Sequence, residues 1–322
     1  MRKALLVGIN NYPDSPLSCC INDASVVGAI LETNGDGSPN FEVHVETDVP
    51  TKSALRKMIA NLFEGESDCA LFFFSGHGYV NELGGFIITP DYKSYDEGVS
   101  MDEILVLAGK SEARNKIIIL DCCYSGVFGT PAILGNGASL LHKGITILTA
   151  CRDKEVAVEK GDHGIFSSLL IDALRGGAAD VSGNITPGSL YAYIDNSLSW
   201  WKQRPVFKTN IIRFISLRRI TPSVLPEVLK KIIEFFPTPE QEYKLNPSFE
   251  FTNTPATHQP LIEPFALDEN VVKFKTLQKL QSVGLVVPVD AEHMYFAAMQ
   301  SKSCRLTALG YHYWRLAKQK KI

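Results

Sequence analysis

Two apolar runs of the sequence end in residues whose side chains could act on a substrate. The run at 70–74 is followed by Ser-Gly-His-Gly, so that His77 stands between two glycines. The run at 117–120 is followed by an aspartate and the adjacent cysteines Cys122 and Cys123. In an open parallel sheet, ligands bind outside the carboxyl ends of the strands. Both segments therefore predict functional groups at the rim of a sheet.

A thiol and an imidazole at neighbouring strand ends are the two groups that a cysteine nucleophile needs. A free thiol is only partly ionised at neutral pH, and a nearby histidine can take its proton and later deliver it to a leaving amine. The pairing predicts acyl-transfer chemistry. The sequence leaves two alternatives open: His77 only caps its strand, and the cysteines are only buried packing residues.

These groups must be positioned by a sheet, and the first two thirds of the chain has the pattern for one. Apolar runs alternate with amphipathic stretches, which predicts an α/β domain with a mostly parallel six-stranded sheet flanked by helices and ending near Arg219. The predicted strands are 3–8, 42–47, 69–74, 116–121, 144–149 and 211–216. The predicted helices are 23–33, 52–63, 101–109, 166–175 and 188–201. Thr51, and Thr186 followed by Pro187, are expected to begin two of these helices.

The last third of the chain has a different composition. Residues 220–268 contain eight prolines and are interpreted as a connecting segment with one short helix at 227–236. Residues 269–322 predict a small second domain. Its expected elements are a helix at 271–282, strands at 285–289 and 293–299, and a closing helix from about Thr307. The end of the chain is basic, since no acidic residue follows Glu292.

Composition excludes several classes of protein. The chain of 322 residues has 32 basic and 35 acidic side chains, and its net charge of −3 argues against coating nucleic acid or membranes by bulk charge. Its apolar runs are far shorter than the roughly 20 residues that a membrane helix needs. The seven cysteines are an odd number with no CxxC spacing, which predicts a reduced, cytoplasmic protein without a disulfide framework.

Four segments together resemble one protein family. They are KALLVGINNYPDSPLSCCINDA, FFFSGHG, IIILDCCYSG and TACRDKEVAVEKGDHGIFSSLLIDAL, which occur in this order within residues 1–217. The set resembles the caspase-like cysteine peptidases, and within them metacaspases and their bacterial relatives more than animal caspases.

The resemblance implies that His77 is the general base and Cys123 the nucleophile, because the family pattern is Asp, a small residue, then the reactive Cys. It also implies an oxyanion hole formed by the N–H groups of Gly78 and Cys123. Tyr124 stands where most members of the family have His.

The resemblance also implies a pocket for the residue before the cut. Metacaspase-like enzymes line this pocket with acidic residues, and the matching positions here are Asp23 and Asp121, with Ser75 nearby. A close opposite charge contributes about 4 kcal/mol at an intermediate dielectric before desolvation, and an acidic guest meets a similar repulsion. The pocket is therefore expected to accept Arg or Lys and to refuse Asp. Two structural roles remain open: Asp23 favouring the dipole of a helix and Asp121 ending a strand.

Three other features are interpreted more simply. Metacaspases often need calcium, and Asp91 and Asp102 lie roughly where the family has ligands. Met101 and an acid-free stretch at 127–134 depart from the family, so no cofactor is predicted and calcium is the less favoured alternative. A solvated acidic loop is the expected role of Asp91, Asp96, Glu97, Asp102 and Glu103. We expect His163 and Gly164 to place a loop. Two roles stay open for Trp200 and Trp201, which are lining the substrate cleft and packing within the last predicted helix of the domain.

The C-terminal residues 305–311 resemble the last wing strand and closing helix of a winged-helix module. A sensing or partner-binding role is expected for this domain, and nucleic acid is the less favoured ligand.

The sequence thus predicts a cysteine endopeptidase that acts as a regulated effector in signalling, defence or cell death. It is expected to cut a companion protein, or itself after Lys143, Arg152 or Lys160. The alternative is a non-catalytic scaffold or a nucleic-acid-binding regulator.

Overall fold

The structure is a computed structural model that describes residues 1–122, 141–150, 159–160, 162–198, 204–256 and 262–322. The chain divides into two compact units, Met1–Thr221 and Pro222–Ile322. The proline-rich residues interpreted as a connecting segment therefore lie almost entirely within the second unit. Within the described ranges, every helix is too short or too polar to cross a membrane.

The first unit is built around a six-stranded sheet with the strand order β12 (Val206–Thr209), β8 (Ile145–Thr149), β7 (Asn115–Asp121), β3 (Cys69–Ser75), β1 (Arg2–Gly8) and β2 (Glu42–Thr47). Strand β12 is antiparallel to β8, and the other four pairs are parallel. This confirms the predicted mostly parallel sheet flanked by helices. The strands are β1 (Arg2–Gly8), β2 (Glu42–Thr47), β3 (Cys69–Ser75), β4 (Gly78–Asn81), β5 (Gly84–Ile87), β6 (Val99–Ser100), β7 (Asn115–Asp121), β8 (Ile145–Thr149), β9 (Glu159–Lys160), β10 (His163–Gly164), β11 (Asn184–Ile185), β12 (Val206–Thr209) and β13 (Arg218–Arg219). The α-helices are α1 (Cys20–Glu32), α2 (Lys52–Phe63), α3 (Met101–Lys110), α4 (Ile165–Asp172) and α5 (Pro187–Ser197).

Helices cover both faces of the sheet, which explains why its central strands are apolar at nearly every position. Phe72 and Phe74 of β3 pack with residues of α2 and α3 in one core. Phe73, which points to the other face, packs with residues of α1, α4 and α5 in a second core. All seven residues of β3 are buried. The strand is thereby held on both sides, and its carboxyl end is fixed in position.

Two helix starts have the predicted caps. The Thr51 side chain accepts a hydrogen bond from the Ala54 N–H at the start of α2. The Thr186 side chain accepts a hydrogen bond from the Ser189 N–H. The Ser189 hydroxyl oxygen in turn accepts from the Thr186 N–H, which completes a capping box. Both predictions are confirmed.

The predicted sixth strand was placed too late in the sequence. The strand is Val206–Thr209, whereas 211–216 forms no strand, so that prediction is wrong. The pairing with β8 stops after Asn210, whose N–H still donates to the Ile145 carbonyl at 2.9 Å. Beyond it, Ile212 and Phe214 are exposed. Apolar content favoured 211–216, but pairing with β8 decides which residues form the edge strand.

The second unit combines helices with a three-stranded antiparallel sheet of order β14 (Tyr243–Lys244), β16 (Ser303–Leu306) and β15 (Val286–Val289). Its elements are α6 (Pro226–Lys230), α7 (Ile232–Phe235), β14 (Tyr243–Lys244), α8 (Asp268–Ser282), β15 (Val286–Val289), α9 (Met294–Met299), β16 (Ser303–Leu306) and α10 (Ala308–Lys318). The strand predicted at 293–299 is wrong, because these residues form α9. The closing helix begins where predicted, and the Thr307 side chain caps α10 by accepting from the Gly310 N–H. The winged-helix assignment stays a prediction.

Candidate active site

The carboxyl ends of β3 and β7 lie side by side in the sheet. The parallel register pairs Ser75 with Asp121, and the Gly76 N–H donates to the Asp121 carbonyl at 3.3 Å. The residues that follow the two strands therefore start from adjacent points. Cys122 is fully buried directly after β7. Cys123 lies just outside the described residues.

The backbone and the ring of His77 are both held. Its N–H donates to the Tyr12 hydroxyl and its carbonyl accepts from the Ile88 N–H, each at 3.0 Å. The imidazole Nε2 lies 2.7 Å from the Ser15 carbonyl oxygen. Because a carbonyl only accepts, Nε2 must carry a proton in this contact. In the neutral ring, Nδ1 is then the basic nitrogen.

The register of the hairpin β4–β5 sets the direction of the Gly78 N–H. Gly78 is paired with Ile87, and the bond from the Ile88 N–H to the His77 carbonyl makes this a non-hydrogen-bonded pair of the antiparallel ladder. In such a pair, the N–H groups of both residues point away from the partner strand. The Gly78 N–H is thus directed away from β5, as a donor for an oxyanion must be.

Tyr12, which sequence reasoning missed, contacts both the backbone and the ring of His77. The two ring centroids are 4.4 Å apart, and the Tyr12 hydroxyl donates to the Ile88 carbonyl at 3.1 Å while it accepts from His77. Burial raises the pKa of Tyr12 well above its usual range, so the hydroxyl stays neutral and can donate. A Cβ at position 76 would lie 2.6 Å from this hydroxyl, which explains the glycine there. The available sequence signal was its place directly after β1, in the opening motif.

A buried carboxylate lies next to the end of β3. Asp23, on the first turn of α1, is 1% exposed, and its Oδ2 accepts from the Ser75 hydroxyl at 3.2 Å and the Gly164 N–H at 3.3 Å. Its Oδ1 lies 2.7 Å from His163 Nδ1. Burial raises the pKa of Asp23, and hydrogen bonds from His163 and Gly164 partly offset this effect. The structure thus brings Asp23 and Ser75 together and adds His163, for which only loop placement was expected.

Asp121 lies against the same glycine. Its Oδ2 accepts from the Ser167 hydroxyl at 2.6 Å and from the Ser167 N–H at 3.2 Å. A Cβ built on Gly164 would lie 2.8 Å from Asp121 Oδ2 and 3.4 Å from Asp23 Oδ2. Both carboxylates therefore flank Gly164. Two acidic groups and one histidine make this corner of the site electronegative whenever the imidazole is neutral.

The acidic loop makes bonds within the protein. Asp91 accepts from the Thr89 hydroxyl at 2.6 Å and from the Lys52 N–H at the start of α2. Asp96 pairs with Lys52, and Glu103 pairs with Arg56. In the part of the chain that the structure describes, no group of three or more His, Cys, Asp or Glu side chains is arranged to hold a metal ion.

Several other predicted positions fall outside the described residues: Tyr124, Arg152, Trp200 and Trp201. Of the remaining self-cleavage candidates, Lys160 belongs to β9. The Lys143 carbonyl accepts from the Lys116 ammonium at 2.9 Å, and burial lowers the pKa of Lys116. This contact ties the peptide bond after Lys143 to the start of β7.

Comparisons with known proteins agree with the fold. A family model described as a caspase domain matches residues 1–214. Among solved structures, a Geobacter sulfurreducens protein is similar with a TM-score of 0.51 and 17% identity, over 68% of this chain and 97% of that one. Caspase-1 from Spodoptera frugiperda is similar with a TM-score of 0.51 and 13% identity, over 68% of this chain and 90% of its own. No curated protein matches.

Proposed function

The chain belongs to the caspase-domain family, whose domain supports cysteine-protease-type chemistry on protein substrates, and on that premise we propose that it is an endopeptidase that cleaves after Arg or Lys with His77 and Cys123 as its dyad. The observation that supports this most is the contact of His77 Nε2 with the Ser15 carbonyl at 2.7 Å. This contact leaves Nδ1 of His77 as the base. His77 follows β3 and Cys123 follows β7, and these two strands are neighbours in the sheet.

The proposed reaction proceeds in two acyl-transfer steps. His77 Nδ1 accepts the proton of the Cys123 thiol, and the thiolate sulfur attacks the carbonyl carbon of the peptide bond. The oxyanion accepts hydrogen bonds from the N–H groups of Gly78 and Cys123. When the intermediate collapses, the C–N bond breaks and His77 returns its proton to the leaving amine. Water, deprotonated by His77, then hydrolyses the thioester and frees the thiol.

Specificity is assigned to the corner between α1 and the ends of β3 and β7. Asp23 and Asp121 supply the negative charge, and Ser75 orients Asp23 by donating to its Oδ2. Both carboxylates are nearly buried, where a charge is stabilised strongly only by a partner of opposite sign. An Arg or Lys side chain supplies that partner, whereas an Asp side chain adds repulsion.

Tyr12 has a positioning role in this proposal. Its hydroxyl joins the His77 N–H to the Ile88 carbonyl, and Ile88 in turn donates to the His77 carbonyl. The Ile88 N–H thus holds the carbonyl of the peptide group between His77 and Gly78. The Tyr12 hydroxyl holds the preceding peptide group through the His77 N–H. One side chain thus supports both the base and the oxyanion donor.

The proposal extends to the biological role. An appended unit of 101 residues suits a regulated cytoplasmic effector in signalling, defence or cell death, with this second unit receiving a signal or a protein partner. Self-cleavage is proposed after Arg152 or Lys160 in preference to Lys143, because the Lys143 carbonyl already accepts a hydrogen bond from Lys116.

Peptide cleavage tests the proposed function. Two fluorogenic peptides that differ only in Arg or Asp before the reporter are offered to wild type, Cys123→Ala and Cys122→Ala. We expect cleavage of the Arg peptide only, a loss of at least about 1000-fold in Cys123→Ala, and retained cleavage in the matched variant Cys122→Ala. Preference for Asp would refute the pocket assignment. No cleavage of the Arg peptide by wild type would favour the non-catalytic scaffold, and equal cleavage by wild type and Cys123→Ala would exclude Cys123 as the nucleophile.

A further inference from the structure

A second concave site lies at the opposite edge of the sheet from the candidate active site. It is a cleft of about 710 Å³, lined at the amino ends of three parallel strands by Arg2 of β1, Cys69 of β3 and Asn115 of β7. The other wall is residues 212–216. A strand of seven residues is about 23 Å long, so this cleft is remote from the carboxyl ends that hold the dyad. All its lining residues belong to the first unit.

The cleft is basic although the chain is not. Its lining contains four arginines, Arg2, Arg114, Arg213 and Arg219, against one aspartate, Asp68. The whole chain, in contrast, has a net charge of −3. A local excess of this sign attracts anions.

The one aspartate is already engaged. Its two carboxylate oxygens pair with the N-terminal ammonium at 3.2 Å and with Arg114 at 3.1 Å. Among the described residues, neither Arg213 nor Arg219 forms an ion pair. Within the described chain, these two arginines therefore have no carboxylate in direct contact, and only Asp36 attracts Arg219 from a longer distance.

Arg2 adds a charge that is partly buried behind them. Its guanidinium donates to Asn40 Oδ1 at 2.6 Å and to the Ser216 and Leu217 carbonyls at 2.8 and 3.1 Å, and it lies 4.1 Å from the centre of the Phe41 ring. These partners are all neutral. Burial, together with the charge of Arg219, lowers the pKa of Arg2, and the charge of Asp68 offsets this effect in part. A buried charge that makes no ion pair is unfavourable, and an anion in the cleft would relieve this cost.

The wall of the cleft also offers apolar surface. Ile212 and Phe214 are 65% and 69% exposed, on either side of Arg213. An exposed aromatic ring beside a guanidinium suits a planar ring attached to a phosphate, because arginine binds phosphate through paired N–H groups and rings stack on aromatic faces. The volume of the cleft is in the range of sites for small organic ligands.

We propose that this cleft binds a nucleotide-sized phosphate ester, with the phosphates between Arg213 and Arg219 and the ring against Phe214. Arg2 supplies long-range attraction from behind the site, since its own donors are engaged. The site is separate from the peptidase chemistry and does not depend on it.

Calorimetric titration of the full chain with ATP, and separately with inorganic triphosphate, tests this site. We expect one ATP per chain, weaker binding as salt rises, and at least a tenfold loss of affinity in the double variant Arg213→Ala/Arg219→Ala. Arg56→Ala, which removes one positive charge at an arginine that pairs with Glu103 and does not line the cleft, is the charge control and is expected to bind as wild type. Thermal unfolding of each variant shows that it is folded.

A second arm concerns the ring. Phe214→Ala is expected to weaken ATP several-fold and to leave inorganic triphosphate unchanged. The proposal is overturned if neither probe binds at millimolar concentration, if the double variant binds as well as wild type, or if Arg56→Ala loses as much affinity. An equal loss of both probes in Phe214→Ala would overturn the placement of the ring.

Discussion

A single hydroxyl, that of Tyr12, holds the backbone on which the proposed base and oxyanion donor lie. Tyr12→Phe removes it and leaves the His77 N–H and the Ile88 carbonyl each without a partner, at about 1–3 kcal/mol. We expect kcat on the Arg peptide to fall about 10- to 100-fold with little change in KM, because the substrate pocket is not touched. Tyr95→Phe, at a side chain that is 97% exposed, is the control. A rise in KM with kcat intact would contradict a positioning role.

Asp23 carries opposite effects on stability and on specificity. Because burial raises its pKa in the folded chain, ionising it is less favourable there than in the unfolded chain. This penalty is absent below the unfolded pKa and complete above the raised folded pKa. Asp23→Asn is therefore expected to unfold at an equal or higher temperature than wild type near pH 7 and to lose that advantage at about pH 3.5. Thermal scans at both pH values measure it.

The same variant is expected to cleave the Arg peptide at least about tenfold less efficiently, because the pocket loses one of its charges. Ser25→Ala, on the same helix with its hydroxyl bonded to the Ile21 carbonyl, is a control outside the pocket. Asp23→Asn with wild-type efficiency on the Arg peptide would remove Asp23 from the specificity pocket.

At single positions, sequence reasoning found the residues at strand ends better than those that hold them. Ser75 and Asp121 followed from strand pattern and resemblance, and the structure places them in register. His163 contacts Asp23 across 140 positions of sequence, and Ser167 contacts Asp121 across 46. No local pattern announces such a contact, because it arises from how α1, β7 and α4 pack together.

Among the elements, the end of β3 depends on one missing side chain. A methyl group at position 76 would lie 2.6 Å from the Tyr12 hydroxyl and 2.8 Å from the Phe74 ring, and both neighbours are buried. Gly76→Ala is therefore expected to lower the melting temperature and to reduce cleavage, by displacing the turn into His77. In Gly188→Ala, on α5, the new group meets nothing closer than 3.8 Å. That control is expected to keep full activity and to be as stable as wild type or more so. Full activity of Gly76→Ala would show that the turn tolerates displacement.

Elements were predictable where periodicity and burial agreed. β2 and α2 have the predicted bounds, because their patterns are clear and Thr51 caps the helix. The edge strand β12 was missed, since its partly exposed residues are less apolar than those at 211–216. The short run at 294–299 was taken for a strand because six apolar residues do not distinguish strand from helix.

For the molecule as a whole, the division into two compact units predicts separate consequences of core damage. Leu277 is fully buried in the second unit, and Leu277→Ala is expected to destabilise that unit by about 2–5 kcal/mol. Cleavage of a short Arg peptide is expected to stay within about twofold of wild type, since the proposed chemistry lies in the first unit. Calorimetry and peptide kinetics on the full chain test both. A parallel loss of peptide cleavage would tie the second unit to catalysis.

The family could be inferred from the sequence because several motifs occur in the right order on a recognisable α/β pattern. The organisation of the second unit could not, because its prolines obscure periodicity and its strands are short. Tyr243 pairs with Cys304 and Lys244 with Ser303 of β16, far apart in sequence, which no local signal indicates.

The central claim is that a thiol at position 123, activated by His77, acts on substrates with a basic residue before the cut. An arginyl chloromethyl ketone alkylates such a thiol after the arginine has bound, and mass spectrometry identifies the labelled cysteine among the seven of the chain. We predict labelling of Cys123, faster than with the aspartyl reagent and strongly slowed in His77→Ala but not in His44→Ala. Labelling of Cys122 instead, faster reaction with the aspartyl reagent, or the same rate without His77 would contradict it.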